Sequence, residues 1–144
     1  MKYTTEVEIN LPRKRVIELF DNPDNMPKWQ PGLISFEHIS GEAGQPGAKS
    51  RLKYKMGKRE IEMIETVAIR DLPDEFSGYY ETKGVWNEVK NYFSEIDSGK
   101  TKWKLEAEFK CSGFMRLIAL VMPGMFKKQT LKSMMDFKKF AENL

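Results

Sequence analysis

Glu65 is the residue of this 144-residue chain whose position most favours chemistry. It lies between Met63 and Val67 in a segment of alternating apolar residues, which predicts that its carboxyl group is on the inner face of a strand. A carboxyl group in such surroundings must be hydrogen-bonded or protonated. Held that way, it can orient a bound ligand or act as a general acid or base.

Strand pairing predicts a polar row around Glu65. Directly paired residues of antiparallel strands lie on the same side of the sheet. Counting back from turns at residues 57–58, 71–74 and 83–84 predicts an inward row of Ser50, Glu65, Tyr80 and Asn87. The alternative is a satisfied structural network, or a strand end where Glu65 reaches water. The same counting, with Gly99 as a left-handed bulge residue, predicts further inward pairs: Tyr54–Ile61, Leu52–Met63, Val67–Gly78, Phe76–Asn91, Asn91–Leu105 and Phe93–Trp103.

Four other polar residues have two interpretations each. Asn91 is disfavoured in a strand, so either a ligand or a bulge accounts for it. Thr130 and Ser133 either leave room for a ligand or bond back to a helix carbonyl. His38 lies on a strand of mixed phase, where a surface or satisfied imidazole is favoured over a catalytic base.

Several classes of protein are disfavoured by composition. The chain has 24 basic and 21 acidic residues, without the basic excess expected of a nucleic-acid-binding protein. Its one Cys and one His provide no disulfide framework and no metal ligand set. The sequence has no Ser-His-Asp order and no glycine-rich phosphate loop, so we expect neither a metal nor a cofactor.

Hydrophobic periodicity predicts one domain over residues 1–144. A first strand at 3–9 precedes a helix that begins at Pro12 and a second short helix capped by Asp24. Later segments predict six strands and a terminal helix broken at Pro123-Gly124; they cover residues 33–40, 48–56, 59–70, 75–82, 85–96, 100–111, 114–122 and 125–144.

The terminal helix is rich in methionine. Residues 114–122 are apolar nearly all round but too short to span a bilayer. Together with an N-terminus that lacks a signal peptide, this favours a cytoplasmic protein. Flexible, polarizable methionines suit an adaptable cavity, although ordinary core is the alternative for each: Met56, Met63, Met115, Met122, Met125 and Met134.

The order of elements and four local motifs resemble the START/Bet v 1-like (SRPBCC) superfamily, within it the polyketide cyclase/dehydrase-like or lipid-transport-like branch. The motifs are Trp29-Gln30-Pro31-Gly32, residues 71–74, residues 97–101 and residues 137–142. The resemblance implies an α+β helix-grip fold. In that fold a curved seven-stranded antiparallel sheet wraps around a long C-terminal helix, with two short helices after the first strand and a hydrophobic cavity beneath the long helix.

Three functions are consistent with these patterns. The first is binding or transport of a small hydrophobic, lipid-like or aromatic ligand, as a monomer or homodimer. The second is a cyclase or dehydratase with Glu65 as general acid or base, which the scarcity of other inward titratable groups makes weaker. The third is a module that docks on a membrane or protein through residues 114–126, with Lys127 and Lys128 behind them. The predicted pocket comprises Trp29, Leu52, Tyr54, Met63, Glu65, Tyr80, Asn87, Val89, Asn91, Trp103, Leu105, Met122, Phe126, Thr130, Met134 and Phe137.

Overall fold

The computed structural model describes residues 1–144, apart from the side chain of Met56, which lies outside the description. The strands are β1 (Lys2–Ile9), β2 (Leu33–Ser40), β3 (Lys49–Met56), β4 (Arg59–Asp71), β5 (Glu75–Thr82), β6 (Val85–Asp97) and β7 (Lys100–Cys111). The helices are α1 (Arg13–Phe20), α2 (Met26–Trp29), α3 (Phe114–Val121) and α4 (Met125–Glu142), and a 3₁₀ turn at Pro23–Asn25 precedes α2. The strands form one antiparallel sheet in the order β1-β7-β6-β5-β4-β3-β2. This is the predicted helix-grip fold.

The predicted register is confirmed across five strands. Glu65 pairs with Ser50 on one side and with Tyr80 on the other, and Tyr80 pairs with Asn87. The remaining predicted pairs are also present: Tyr54–Ile61, Leu52–Met63, Val67–Gly78, Phe76–Asn91, Asn91–Leu105 and Phe93–Trp103. The short turns therefore determine which side chains share the inner face.

The link between β4 and β5 differs from the prediction. Three residues connect the strands, and the register shifts between Val67 and Ile69, so Ala68 is the extra residue of a bulge. The predicted four-residue turn and the observed three-residue turn plus one bulge residue both pair Val67 with Gly78. The predicted register up to Val67 was therefore correct. Beyond the bulge the faces are exchanged. The alternation of Met63, Glu65 and Val67, continued by two residues, predicts Ile69 inward, but Ile69 is 43% exposed and Arg70 lies toward the interior instead.

Two smaller expectations were wrong. Gly99 does not have a positive φ; the extra residue lies in β6 between Glu95 and Asp97, and the carboxylate of Asp97 accepts a hydrogen bond from the Gly99 N–H at 2.9 Å. Asp24 does not cap the second helical segment either. The side chain of Asn22 accepts a hydrogen bond from the Asp24 N–H at 3.0 Å, because an Asx side chain two residues earlier reaches that free donor.

The core lies between α4 and the β1 side of the sheet. Phe137 is fully buried. Its ring centroid lies 5.4 Å from that of Trp103, 5.2 Å from that of Trp29 and 6.2 Å from that of Phe20. The interplanar angles of about 80° are edge-to-face, an arrangement that adds to the stabilisation from burial alone. This aromatic cluster fixes α4 and α2 against the sheet.

None of the described helices combines the length and apolarity needed to cross a membrane.

Phe137→Ala is expected to lower the free energy of unfolding by about 3–5 kcal/mol, because the cavity it leaves is walled by rigid aromatic rings. Urea unfolding followed by circular dichroism measures the change. The control is Leu131→Ala, since Leu131 lies on the same helix and is 40% exposed. It is expected to change the free energy of unfolding by less than about 1 kcal/mol. Equal losses in the two variants would contradict this account of the core.

Candidate functional site

A cavity of about 320 Å³ lies on the inner face of the sheet, beside α1 and α2. Strands β3, β4 and β5 form its floor. The helical segment from Phe20 to Gln30 and the loop that joins β2 to β3 form its walls. Its apolar lining consists of Phe20, Pro23, Met26, Trp29, Phe36, Ala43, Ala48, Val67 and Phe76. Its polar side chains are Asp21, Gln30, His38, Ser50, Glu65, Arg70, Tyr80 and Asn91.

The cavity exists because α4 does not cover this part of the sheet. Helix α4 packs on β1, the edge strand opposite β2, and also contacts α2. None of the described side chains of α3 or α4 lines the cavity. The expectation that it lies beneath the terminal helix is therefore corrected: the short helices and the 41–48 loop cover it.

Glu65 and Tyr80 provide the chemistry of the cavity floor. Burial raises the pKa of the Glu65 carboxyl group, and the Tyr80 hydroxyl beside it only partly offsets that rise. Burial, followed by the charge of Glu65, raises the pKa of Tyr80 well above its ordinary value. A neutral carboxylic acid and a neutral phenol both donate hydrogen bonds.

Tyr54 extends this region toward α2. Its hydroxyl donates a hydrogen bond to the side-chain oxygen of Gln30 at 2.6 Å, and burial raises its pKa. Because the Gln30 oxygen accepts from Tyr54, the amide group of Gln30 is oriented with its N–H₂ as the remaining donor.

An ion pair holds the edge of the cavity. The Arg70 guanidinium donates to both carboxylate oxygens of Asp21, at 2.8 and 2.6 Å, and to the Gly44 carbonyl at 3.4 Å. The hydrogen bond to Asp21 raises the pKa of Arg70. Arg70 thus joins the end of α1 and the 41–48 loop to β4. The sequence did not predict the inward position of Arg70. The bulge at Ala68 that turns Arg70 inward has no effect on the strand pairs that the sequence predicted, so nothing in those pairs revealed it.

The structure brings part of the predicted pocket together. Trp29, Glu65, Tyr80 and Asn91 line the cavity, as does Ser50 of the predicted row. Five predicted residues are instead buried in the core or inner sheet: Leu52, Trp103, Leu105, Met134 and Phe137. The half-buried inner-face residues Tyr54, Met63, Asn87 and Val89 lie outside its lining.

The remaining predicted residues lie at the other end of α4. Phe126 stacks on Phe109 with ring centroids 4.5 Å apart. The hydroxyl of Thr130 is hydrogen-bonded to that of Tyr3 at 2.5 Å, so neither earlier interpretation of Thr130 applies. Met122 is 53% exposed between the two helices.

Asn91 and His38 have structural partners. Asn91 donates to the Phe76 carbonyl at 3.1 Å and accepts from the Trp103 indole at 3.0 Å, so a buried network, and no bulge, accounts for it. His38 Nε2 lies 2.7 Å from the Gly41 carbonyl oxygen, which positions the ring at the cavity wall. Phe36 and His38 belong to β2 and also line the cavity. The mixed phase of that strand gave no prediction of which of its side chains lie inward.

Two buried polar atoms of the described side chains have no hydrogen-bond partner. They are Trp29 Nε1, a donor, and Asn87 Oδ1, an acceptor. Each costs free energy unless a ligand or water satisfies it. Among the described side chains, no three His, Cys, Asp or Glu residues converge as metal ligands.

Solved structures with the same fold are similar over nearly the whole chain. The ZhuI aromatase/cyclase from Streptomyces has a TM-score of 0.82 at 11% identity, covering 99% of this chain and 93% of that one. A START superfamily protein from Mycobacterium smegmatis has a TM-score of 0.75 at 13% identity, covering 99% and 94%. Norcoclaurine synthase from Thalictrum flavum, in complex with dopamine and hydroxybenzaldehyde, has a TM-score of 0.73 at 15% identity, covering 96% and 84%.

At these identities the likeness concerns the fold alone. No curated protein sequence matches the chain significantly. A family described as polyketide cyclase/dehydrase and lipid transport matches residues 1–142. The chain belongs to this polyketide cyclase/dehydrase and lipid transport family.

Proposed function

We propose that the protein binds a small hydrophobic ligand in the cavity between β3–β5 and the α1–α2 segment. The observation that carries this is a carboxyl group with a raised pKa, Glu65, beside Tyr80 on the floor of a mainly apolar cavity. Ligand sites typically combine an apolar wall with a few convergent polar groups in a volume of about 300–1,000 Å³. A cavity of about 320 Å³ suits a small molecule rather than a long acyl chain.

The polar groups favour a ligand that accepts hydrogen bonds. Burial favours the protonated form of Glu65, whose O–H donates toward the cavity while its other oxygen accepts from Tyr80, and the Gln30 amide donates from the wall. The aromatic side chains Phe20, Trp29 and Phe76 offer flat apolar contact. A compact aromatic molecule with a carbonyl or phenolic oxygen matches both features.

A second candidate is proton-transfer catalysis of the cyclase or dehydratase type. It is favoured by the same raised pKa, which brings Glu65 toward the range in which a carboxyl group exchanges protons at neutral pH. It is the weaker proposal because Asp21, the other carboxylate of the lining, is committed to Arg70. The family description includes both cyclases and lipid transport and is consistent with either candidate.

Filling the cavity from its exposed loop is expected to abolish binding. Ala43→Phe places a ring at the cavity wall without changing the core, and Ala43→Ser is its matched control. Native mass spectrometry and melting shifts with a panel of polyphenols and lipids measure binding. Bound panel members are expected with the parent chain and Ala43→Ser but not with Ala43→Phe. Equal binding by all three, or no panel member bound by the parent chain, would overturn the proposal.

The Tyr80 hydroxyl, whose hydrogen bond holds the Glu65 carboxyl group in place for the ligand, has its own test. Tyr80→Phe is expected to weaken binding of a phenolic or carbonyl ligand from that panel by roughly tenfold, the effect of losing about 1.5 kcal/mol. Tyr3→Phe is the control, since Tyr3 bonds Thr130 outside the cavity. An unchanged dissociation constant in Tyr80→Phe would place the ligand elsewhere.

Replacing Glu65 is expected to change the pH dependence of stability. The pKa of Glu65 is higher in the folded protein than in the unfolded chain. The free energy of unfolding is therefore highest at low pH, where Glu65 is protonated in both states, and it falls as the pH rises and the unfolded chain ionises first. Glu65→Gln removes this loss. The variant should therefore melt higher than the parent chain at pH 7–8, and the difference should shrink below about pH 4. A difference independent of pH would contradict the burial of an ionisable group here.

The same variant separates binding from catalysis. If a cyclisation or dehydration of a bound panel member is detected, Glu65→Gln should lower its rate by roughly 10²–10⁴-fold while ligand binding persists. An undiminished rate would exclude Glu65 as the acid or base.

A further inference from the structure

Helix α3 presents an unusually apolar surface to solvent. Five of the residues from Phe114 to Met122 are large, apolar and more than half exposed: Phe114 (70%), Leu117 (56%), Leu120 (73%), Val121 (71%) and Met122 (53%). None of the residues of α3 is buried. A contiguous exposed apolar patch of this kind indicates a surface that is covered by something else.

The other side of α3 already has a partner. Met115, Ile118 and Ala119 are half-buried, and Met115 lies against Gly84 in the turn between β5 and β6. The helix contacts β7 as well. Because one side packs on the protein and the opposite side is also apolar, α3 is held in place with its hydrophobic face outward.

The chain segment that contains α3 carries charges of one sign only. Residues 109–135 contain five basic residues and no acidic one, namely Lys110, Arg116, Lys127, Lys128 and Lys132, whereas the rest of the chain has 19 basic and 21 acidic residues. The net positive charge of the protein therefore resides in this segment. Among the described side chains, Arg116, Lys127 and Lys128 form no ion pair.

We propose that α3 and the start of α4 form a docking surface for an anionic lipid bilayer. The eight residues of α3 extend about 12 Å, far less than the hydrocarbon thickness of about 30 Å. The helix therefore lies along the interface, with its apolar side chains among the acyl chains and Arg116 of α3 and Lys127 and Lys128 of α4 at the headgroups. Charge complementarity selects this occupant, because a second copy of the chain would bring two clusters of the same sign together.

Docking at α3 leaves the cavity accessible. Helix α3 follows the end of β7 that lies beside the turn between β5 and β6. The exposed lining residues Pro23 and Ala43 and the Arg70–Asp21 pair lie beside the opposite sheet end, which carries the turn between β4 and β5. A docked molecule thus keeps that side of the cavity toward water. This inference does not depend on the ligand proposed above.

Co-sedimentation with vesicles tests the proposal. Vesicles of mixed phosphatidylcholine and phosphatidylglycerol are expected to bind the full chain more tightly than pure phosphatidylcholine, with affinity falling as salt is added. Leu120→Glu should reduce this binding by at least tenfold. Ile96→Glu makes the same chemical change at a 47% exposed site at the other end of the sheet and should leave it unchanged.

The basic residues are tested separately. Removing both charges in Lys127→Gln/Lys128→Gln should weaken binding to the mixed vesicles by roughly 30-fold, since each lysine near an anionic surface contributes about 1 kcal/mol. Both sites are exposed, and circular dichroism with melting curves verifies that every variant is folded.

Three results would overturn the proposal. One is no binding to either vesicle by the parent chain. Another is binding that Leu120→Glu and Ile96→Glu change equally. The third is a concentration-dependent dimer, seen by analytical ultracentrifugation and lost in Leu120→Glu, without vesicle binding; the surface would then join two copies of this chain. Ligand binding in the cavity, measured in the same Leu120→Glu variant, is expected to be unchanged, so failure here and failure of the proposed function are separable.

Discussion

The packing of one helix on a seven-stranded sheet is the constraint on which the rest of the structure depends. A helix about 10 Å wide cannot cover a sheet of that width. Helix α4 buries Met134, Phe137 and Ala141 against the β1 side, where Trp103 and Trp29 complete an aromatic core. The inner face of β3, β4 and β5 is left to the two short helices and a loop. These are too small to fill the space, and the cavity is what remains.

The properties of Glu65 follow from that geometry. A carboxyl group on the floor of a space walled by aromatic and aliphatic side chains loses most of its hydration, and this raises its pKa. In the open sheet the same residue would be an ordinary exposed glutamate. The incomplete cover therefore accounts for both the open space of the cavity and the raised pKa of the carboxyl group on its floor. The Arg70–Asp21 pair keeps the cover in place by joining three chain segments at one point.

The two ends of the molecule have different surfaces. The end beside α3 is apolar and positively charged, while Arg70 is neutralised by Asp21 at the end beside the cavity. The proposed ligand site and the proposed lipid-docking surface therefore lie at opposite ends of the molecule. The exposed leucines of α3 are costly in water, since their burial in a bilayer interface is favourable in proportion to apolar area.

The sequence by itself determined the elements, the antiparallel register and the inward row of Ser50, Glu65 and Tyr80. These depend on local turns and on period-two alternation, which are readable from residues close together in the chain. Where the cavity lies was decided only by the tertiary structure. A single extra residue at Ala68 turned Arg70 inward, and the path of α4 along β1 moved the open space away from the terminal helix. Both depend on contacts between distant segments, whose packing has no signature in the local pattern.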